Sequence, residues 1–463
     1  MTREQPHPIL AELASGLPGT RLLSGAADIE PYRWDETAYM HPGEPLAVVF
    51  PRSTAEVSSV VRLAARHHVP LVPRGAGTGL SGGAIAVQGA ISVVMTQMDQ
   101  IIAIDADDLL AITQPGVINA DLGRAVAEQG LFYPPDPASY ETCTIGGNLA
   151  ENAGGLRCLK YGVTRDYVLG LEVVLADGEV IRTGGRTAKD VMGYDLSHLF
   201  VGSEGTLGII TEATLRLLAQ PAEKLTLLAF FAGVREAGQA VSAIIRAGLV
   251  PVTLELMDRY TIRAVDAALR VGLDDEAGAM LLIESDAAGV AALSELDAAA
   301  AACSAAGATS QARSADPAEA DRLREARRMA HWSLQRAGVA RMEDVGVPRS
   351  RVAELLDAIA LRSEQHGLPV GVFGHAGDGN FHPTFVIDRE DPEAETRIDA
   401  ARGAIYADVL ALGGTISGEH GTGVVKRAYL VGQRGERGVA AMRAIKHALD
   451  PLGILNPGKV LPD

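Results

Sequence analysis

The chain has 463 residues, enough for two or three domains at roughly 100–200 residues each. Hydrophobic residues make up 47% and charged residues 21%, which excludes a disordered or fibrous chain. Lys+Arg total 41 against 58 Asp+Glu, a net charge of −17, so nucleic acid and anionic lipid surfaces find no basic footprint here.

Three cysteines, Cys143, Cys158 and Cys303, cannot supply the four thiolates of an iron–sulfur cluster or a disulfide scaffold. This points to a reduced, cytoplasmic protein. The stretch 1–19 lacks the apolar run of a signal peptide, and no segment reaches the roughly 20 apolar residues of a membrane span.

In chain order, Ser53-Thr54-Ala55-Glu56 reads as a capping box, with Val57, Val60, Val61, Ala64 and Ala65 following at helical spacing. Residues 69–73 run extended into a glycine-dense loop. Strands are expected at 91–95, 101–104 and 110–113, then a helix that Asn119 caps and Gly130 ends. Segments 171–176 and 179–183 flank Asp177-Gly178, a two-residue hairpin signal, and 207–218 is extended. Beyond Pro221, alanine-rich helices alternate with strands such as 225–231 and 280–284, the pattern of an α+β second domain. The tract 286–308, interrupted by Glu295 and Asp297, reads as a soluble helix, and 439–449 as an amphipathic one. There is no internal repeat of fixed period.

Gly77-Thr78-Gly79-Leu80-Ser81-Gly82 fits G-x-G-x-x-G after a strand, with Asp99 downstream. That fingerprint binds a dinucleotide only where a helix starts at the loop. Here Gly82–Gly89 carries further glycines and no helical period, which argues against a Rossmann unit. Bare backbone amides of Arg74–Gly79 can instead form a nest for one diphosphate. A plain surface turn is the alternative. Further glycine runs at 144–148, 152–155 and 202–208 favour one extended ligand lying against backbone, and a flavin dinucleotide meets that need.

These same segments resemble the FAD-binding domain of the vanillyl-alcohol oxidase and p-cresol methylhydroxylase superfamily. The resemblance rests on Pro73–Gly82, Pro135-Asp136-Pro137, Thr144–Asn148, Glu151–Gly155 and Val201–Gly208, in that order. It implies that Arg74, Gly75, Ala76, Gly77, Thr78, Gly79 and Ser81 hold the FAD pyrophosphate. It further implies that Pro135, Asp136, Thr142, Gly146, Gly147, Asn152, Gly154, Gly155, Ile209 and Ile210 line the adenine and isoalloxazine regions. Some members attach FAD through a loop histidine or cysteine, and this pyrophosphate loop has neither. His67 and His68 precede it at a helix end, expected to face solvent, so FAD is expected to be non-covalent, with Cys143 left open.

Near the carboxy terminus, 370–385 reads strand, turn, strand, with His375 and His382 seven positions apart. An odd offset puts side chains on opposite faces of a straight strand, but a turn at Asp378-Gly379 lets both imidazoles converge. Glu419-His420 lies in a glycine-framed loop, Gly413–Gly423, whose backbone can bring both side chains to one site. Two histidines and a carboxylate make a common zinc set. Hairpin histidines satisfied by backbone or water, and an inert surface Glu-His, are the alternatives.

His375-x-Gly-Asp-Gly-Asn380-x-His382, Gly418-Glu419-His420-Gly421 and Leu455–Lys459 resemble the carboxy-terminal domain of FAD-linked D-2-hydroxy-acid dehydrogenases. That group includes D-lactate dehydrogenases, glycolate oxidase flavin subunits and D-2-hydroxyglutarate dehydrogenases. The resemblance implies His375, His382 and Glu419 as ligands of Zn²⁺ or Mn²⁺, His420 as base, Asn380 near the substrate and Asn456 at the cofactor. Arg327 aligns with the family's substrate arginine, the alternative being a solvated helix arginine beside Arg322, Arg324 and Arg328. Hydroxyglutarate-specific members carry a threonine and a lysine where this chain has His331 and Met342, which leans toward lactate, glycolate or another monocarboxylic acid.

The resemblance thus implies an α+β chain in three parts: an FAD-binding domain at 1–220, a substrate (cap) domain at 221–415, and a segment at 416–463 returning to the FAD domain. Electrons must pass to an external acceptor, whether an iron–sulfur subunit, an electron-transfer flavoprotein, a cytochrome, a quinone or oxygen. A homodimer is left open. The rival readings are a D-2-hydroxyglutarate dehydrogenase, a flavin alcohol oxidase of the same fold, and a non-catalytic FAD-binding subunit.

Overall fold

The computed structural model describes residues 7–37, 39–314, 316–388 and 391–463. The first six residues, part of the stretch read as lacking a leader, lie outside the described residues. The chain packs into two compact units. One comprises the chain through Gly154, Val163–Gln220 and Glu419–Asp463; the other comprises Gly155–Gly162 and Pro221–Gly418. Among the described residues no helix is long and apolar enough to cross a membrane.

The first unit holds two main sheets. In one, Ala47–Phe50, Ile91–Val94 and Leu71–Arg74 run parallel with Ile91–Val94 in the middle, and Arg21–Leu23 adds an antiparallel edge. Ala47–Phe50 and Ile91–Val94 are buried at every position, as apolar runs in parallel sheets are. The helix Thr54–His67 makes the crossover, with Ser53 capping it through the Glu56 N–H. The reciprocal half of the capping box is displaced by one residue: Glu56 accepts from the Arg52 N–H at 2.9 Å. The carboxy-terminal tail covers the free edge, Leu71 N–H donating to Ile454 O and Asn456 N–H to Leu71 O.

The second sheet of this unit is antiparallel, in the order Ile101–Asp105, Leu110–Thr113, Ile209–Arg216, Val168–Val174, Val180–Gly184. The hairpin at Asp177-Gly178 forms with a longer turn than two residues. Leu175 N–H pairs with Glu179 O, leaving 176–178 as the turn and Gly178 at φ +83°. Asn119 begins its helix rather than capping it, because its side chain is committed to Pro135 O at 3.1 Å. No helix follows Gly77–Gly82, so the Rossmann arrangement is absent there. His67 departs from the solvent-facing expectation: its side chain is 22% exposed and pairs with Glu12 at 2.9 Å, while His68 is exposed.

The other unit is built on one antiparallel sheet. Its order is Ala308–Arg313, Leu225–Phe231, Ala279–Ser285, Thr253–Asp258, Val370–His375, Asn380–Ile387, Val339–Met342, with Val345–Gly346 also pairing to Asn380–Ile387. Leu228, Phe230, Met257, Met280 and Leu282 pack with Ile262, Val265, Ala326 and Leu334 from neighbouring helices in one apolar cluster. The segment Gly155–Gly162 belongs here: Lys160 Nζ pairs with the buried Asp286 carboxylate, which also accepts from Tyr161 Oη at 2.6 Å.

Candidate functional site

The hairpin Val370–His375/Asn380–Ile387 pairs His375 with Asn380 and Phe373 with His382. Paired residues share a face, and so do residues two apart, so His375, Asn380 and His382 all project to one side. The imidazole centroids lie 5.3 Å apart and edge to face, with both rings buried. The turn between them needs Gly379, which sits at φ +78° and would place a Cβ 2.2 Å from Val347 O.

Carboxylates hold these side chains from behind. Glu255, on the adjacent strand Thr253–Asp258, lies 2.8 Å from His375 Nδ1 through one oxygen. Its other oxygen is 2.6 Å from Arg327 Nη2, in ion-pair contact. Arg327 also stacks over Phe373 at 4.9 Å. It is 3% exposed, which corrects the solvated-helix alternative. Among the described residues its buried Nε–H finds no acceptor, an arrangement suited to an incoming anion. Asp344, fully buried, accepts from Asn380 Nδ2 at 2.6 Å and from the Gly418 N–H at 2.8 Å. Asn380 thus spends its amide donors on Asp344 and on Val345 O at 3.0 Å. Burial, then the neighbouring His382, pushes the His331 pKa down to about 4, so this imidazole stays neutral across the physiological range. Met342 is half-buried against the apolar cluster.

In the first unit, Glu419 and His420 lie in the loop after Gly418, with Oε1 and Nε2 4.0 Å apart. Just past them, the Thr422 and Gly423 N–H groups donate to the two oxygens of Glu204 at 2.7 and 2.8 Å. Glu204 is buried beside Glu151, whose Oε1 accepts from Ser81 Oγ at 3.2 Å. Burial, and then the Glu204 charge, raises Glu151 well above the ordinary carboxylate range. Burial raises Glu204 to about 7 against the opposing Thr422 and Gly423 hydrogen bonds. A carboxyl raised in the folded state stabilises below its unfolded value, about 4.3, and loses that contribution as pH rises through the folded value. The thermal midpoint of wild type relative to Glu204→Gln should therefore decline from pH about 4.5 to about 7. An equal slope in both proteins would refute the assignment.

The glycine loops also meet in this unit. The N–H groups of Ala76, Gly77, Thr78, Gly79 and Leu80 donate to no protein acceptor among the described residues. Gly77, at φ +82°, lets the loop close over the Arg74 guanidinium, whose Nη2 a Cβ there would meet at 1.9 Å. A Cβ on Gly75 would meet Thr144 Oγ1 at 2.3 Å, so this loop closely approaches the start of the helix Ile145–Glu151, which Thr144 caps. Lys459 Nζ donates to the carbonyls of Gly82, Gly83 and Ile85, and Asn456 Nδ2 to those of Gly83 and Glu204. A row of unspent backbone donors backed by bare glycine is a cradle for a diphosphate.

The remaining expected cofactor residues divide. Pro135 and Asp136 are buried, and so are Gly154 and Gly155. Asn152 caps its helix in the left-handed region and accepts from the Arg165 N–H at 2.9 Å. Thr142 is exposed, with its hydroxyl on Ser139 O, and Ile209 packs inside the apolar core. Glu255 and Asp344 went unread in the sequence, and Glu151, Glu204 and Lys459 stood inside motifs without a role of their own. Glu255 does carry a signal, an acid between two leucines in the strand Thr253–Asp258.

Residues 45–184 match the FAD binding domain family, and residues 220–460 the family of FAD linked oxidases, C-terminal domain. The glycolate oxidase subunit GlcD of Bacillus subtilis (strain 168) is 46% identical over 430 residues, 93% of this chain and 91% of that protein. A D-lactate dehydrogenase of Anaerostipes hadrus is 34% identical, covering 95% of this chain and 94% of its own length. In fold, p-cresol methylhydroxylase with substrate bound superposes with a TM-score of 0.83 at 17% identity, over 98% of this chain and 96% of that one. The free amides of the glycine loop and the hairpin described above thus sit in an oxidoreductase that binds FAD, and the chain belongs to the family of FAD-linked oxidases.

Proposed function

We propose that the protein oxidises a small D-2-hydroxy acid, of the D-lactate or glycolate type, to the 2-oxo acid and passes the electrons to an external acceptor. The observation that carries this reading is the His375–Asn380–His382 face beside the buried Arg327, whose Nε–H is unspent. The names of the relatives, a glycolate oxidase subunit and D-lactate dehydrogenases, support the same substrate class. The residues of the glycine loop would hold FAD, which would supply the acceptor for the hydride leaving the substrate Cα. The amides of residues 76–80 would supply donors for its diphosphate, and Gly75 and Gly77 the clearance.

The donor set fits a divalent Zn²⁺ or Mn²⁺: two imidazoles on one face, one with its Nδ1 held by a carboxylate, and Glu419 as the proposed third ligand. Such an ion lowers the pKa of a bound hydroxyl. Arg327 then pairs with the substrate carboxylate, and His420 takes the hydroxyl proton. His331 and Met342 offer no cation for a second carboxylate, which favours monocarboxylic substrates. An iron–sulfur subunit, an electron-transfer flavoprotein, a cytochrome and a quinone are the acceptor classes, and location in the cytoplasm is part of the proposal.

The test is anaerobic flavin absorbance with D- and L-lactate, glycolate and D-2-hydroxyglutarate, with and without chelator. The expected result is bleaching by D-lactate or glycolate that chelator abolishes. Bleaching by D-2-hydroxyglutarate alone would move the assignment to that branch. No bleaching by any of them would overturn the proposal.

A further inference from the structure

Glu255 and its two partners form an arrangement that the reading above does not use. The carboxylate is 1% exposed, in a strand between Leu254 and Leu256 that are themselves buried. A buried charge is costly unless it is well paired, and Glu255 is paired twice. Its two oxygens are divided between two groups of different purpose. One is 2.8 Å from His375 Nδ1 and the other 2.6 Å from Arg327 Nη2. An imidazole that donates its Nδ1–H to a carboxylate is fixed as one tautomer in one orientation. Its Nε2 then carries the lone pair and gains basicity.

We infer that Glu255 is a positioning residue that sets the metal-binding histidine and the substrate-binding arginine from a single carboxylate. This rests on the metal and substrate reading proposed above. It adds that the two are not independent, because His375 and Arg327 take their orientation from the same group. Arg327 is held at one nitrogen by Glu255 and on its face by Phe373, which leaves the unspent Nε–H edge for a substrate carboxylate.

The experiment uses the full-length, FAD-loaded protein. Zn²⁺ affinity is measured by competition with a chromophoric chelator, and KM and kcat are measured alongside, for wild type, Glu255→Gln and Glu255→Asp. Glu255→Gln keeps the size and one acceptor oxygen but removes the charge. It is expected to weaken Zn²⁺ binding about 10–100-fold, as losing an outer carboxylate does elsewhere, and to raise KM more than it lowers kcat. Glu255→Asp, which keeps the charge, should recover part of both losses. A purely structural role would lower the melting temperature without moving Zn²⁺ affinity in the folded, yellow protein. Unchanged affinity in both variants, with wild type binding Zn²⁺, would overturn this inference alone. A wild type that binds neither Zn²⁺ nor Mn²⁺ would overturn the metal reading and this inference with it.

Discussion

Replacing His375 by alanine is expected to remove divalent metal from the protein and cut kcat with a D-2-hydroxy acid by about three decades. A metal that polarises the reacting oxygen contributes several kcal/mol, and each 1.36 kcal/mol is worth about one decade in rate. His375 is buried at the end of its strand with Nδ1 on Glu255, so alanine there removes a proposed ligand together with the partner of that carboxylate. FAD should stay bound, since its proposed cradle is made of the loop near residues 75–80 and the helix start at 144–147. Metal content and the rate of anaerobic flavin reduction check the prediction together. A variant that keeps its metal and reacts within tenfold of wild type would remove His375 from the ligand set.

The second large effect concerns stability. Glu284, fully buried in the strand Ala279–Ser285, accepts from Arg324 Nε at 3.0 Å and Nη2 at 2.6 Å. It also accepts from Thr226 Oγ1 and Thr253 Oγ1. Burial alone raises its pKa, but the Arg324 hydrogen bonds, Lys224, the Arg324 charge and Thr253 outweigh this and hold it below the ordinary range. Glu284→Ala leaves a largely buried guanidinium with Asp321 as its remaining carboxylate, at a cost of about 3 kcal/mol. With the pKa depressed, the stabilisation is present above the unfolded carboxylate value and is lost as pH falls through the folded one. Urea unfolding of the unit containing this sheet should show the loss at neutral pH, and the gap between wild type and variant should narrow in acid. A gap under about 1 kcal/mol at neutral pH would show that Arg324 finds water or another acceptor.

Much of this was legible because it is local. The capping serine of Thr54–His67, the apolar strands and the glycine runs are each fixed by chemistry within a few residues. The same holds for His375 and His382, since the turn that brings an odd offset onto one face is written between them. What stayed hidden is pairing across distance. Glu255 meets His375 across 120 residues, and Glu204 meets Thr422 across 218. Nothing local distinguishes such acids from solvated ones except their place in apolar or glycine-rich surroundings. The buried arginine was hidden for a further reason. Arg327 stands among Arg322, Arg324 and Arg328, and only the packing of its helix decides which of the four turns inward.

The placement of Gly155–Gly162 bears on how such a chain can be inherited. This short stretch is encoded ahead of residues 163–220, yet it packs with Pro221–Gly418, where Lys160 and Tyr161 share Asp286. A genetic crossover at residue 220, which looks like the clean seam in the sequence, would take Tyr161 from one parent and Asp286 from the other. The tail after Gly418 would likewise arrive with the wrong ancestor, although Asn456 and Lys459 grip carbonyls of residues 82–85. A chimaera that respects the packing needs breakpoints at 154, 162, 220 and 418 together. A chain spliced from two relatives would therefore have to exchange an interleaved set of segments rather than one contiguous block.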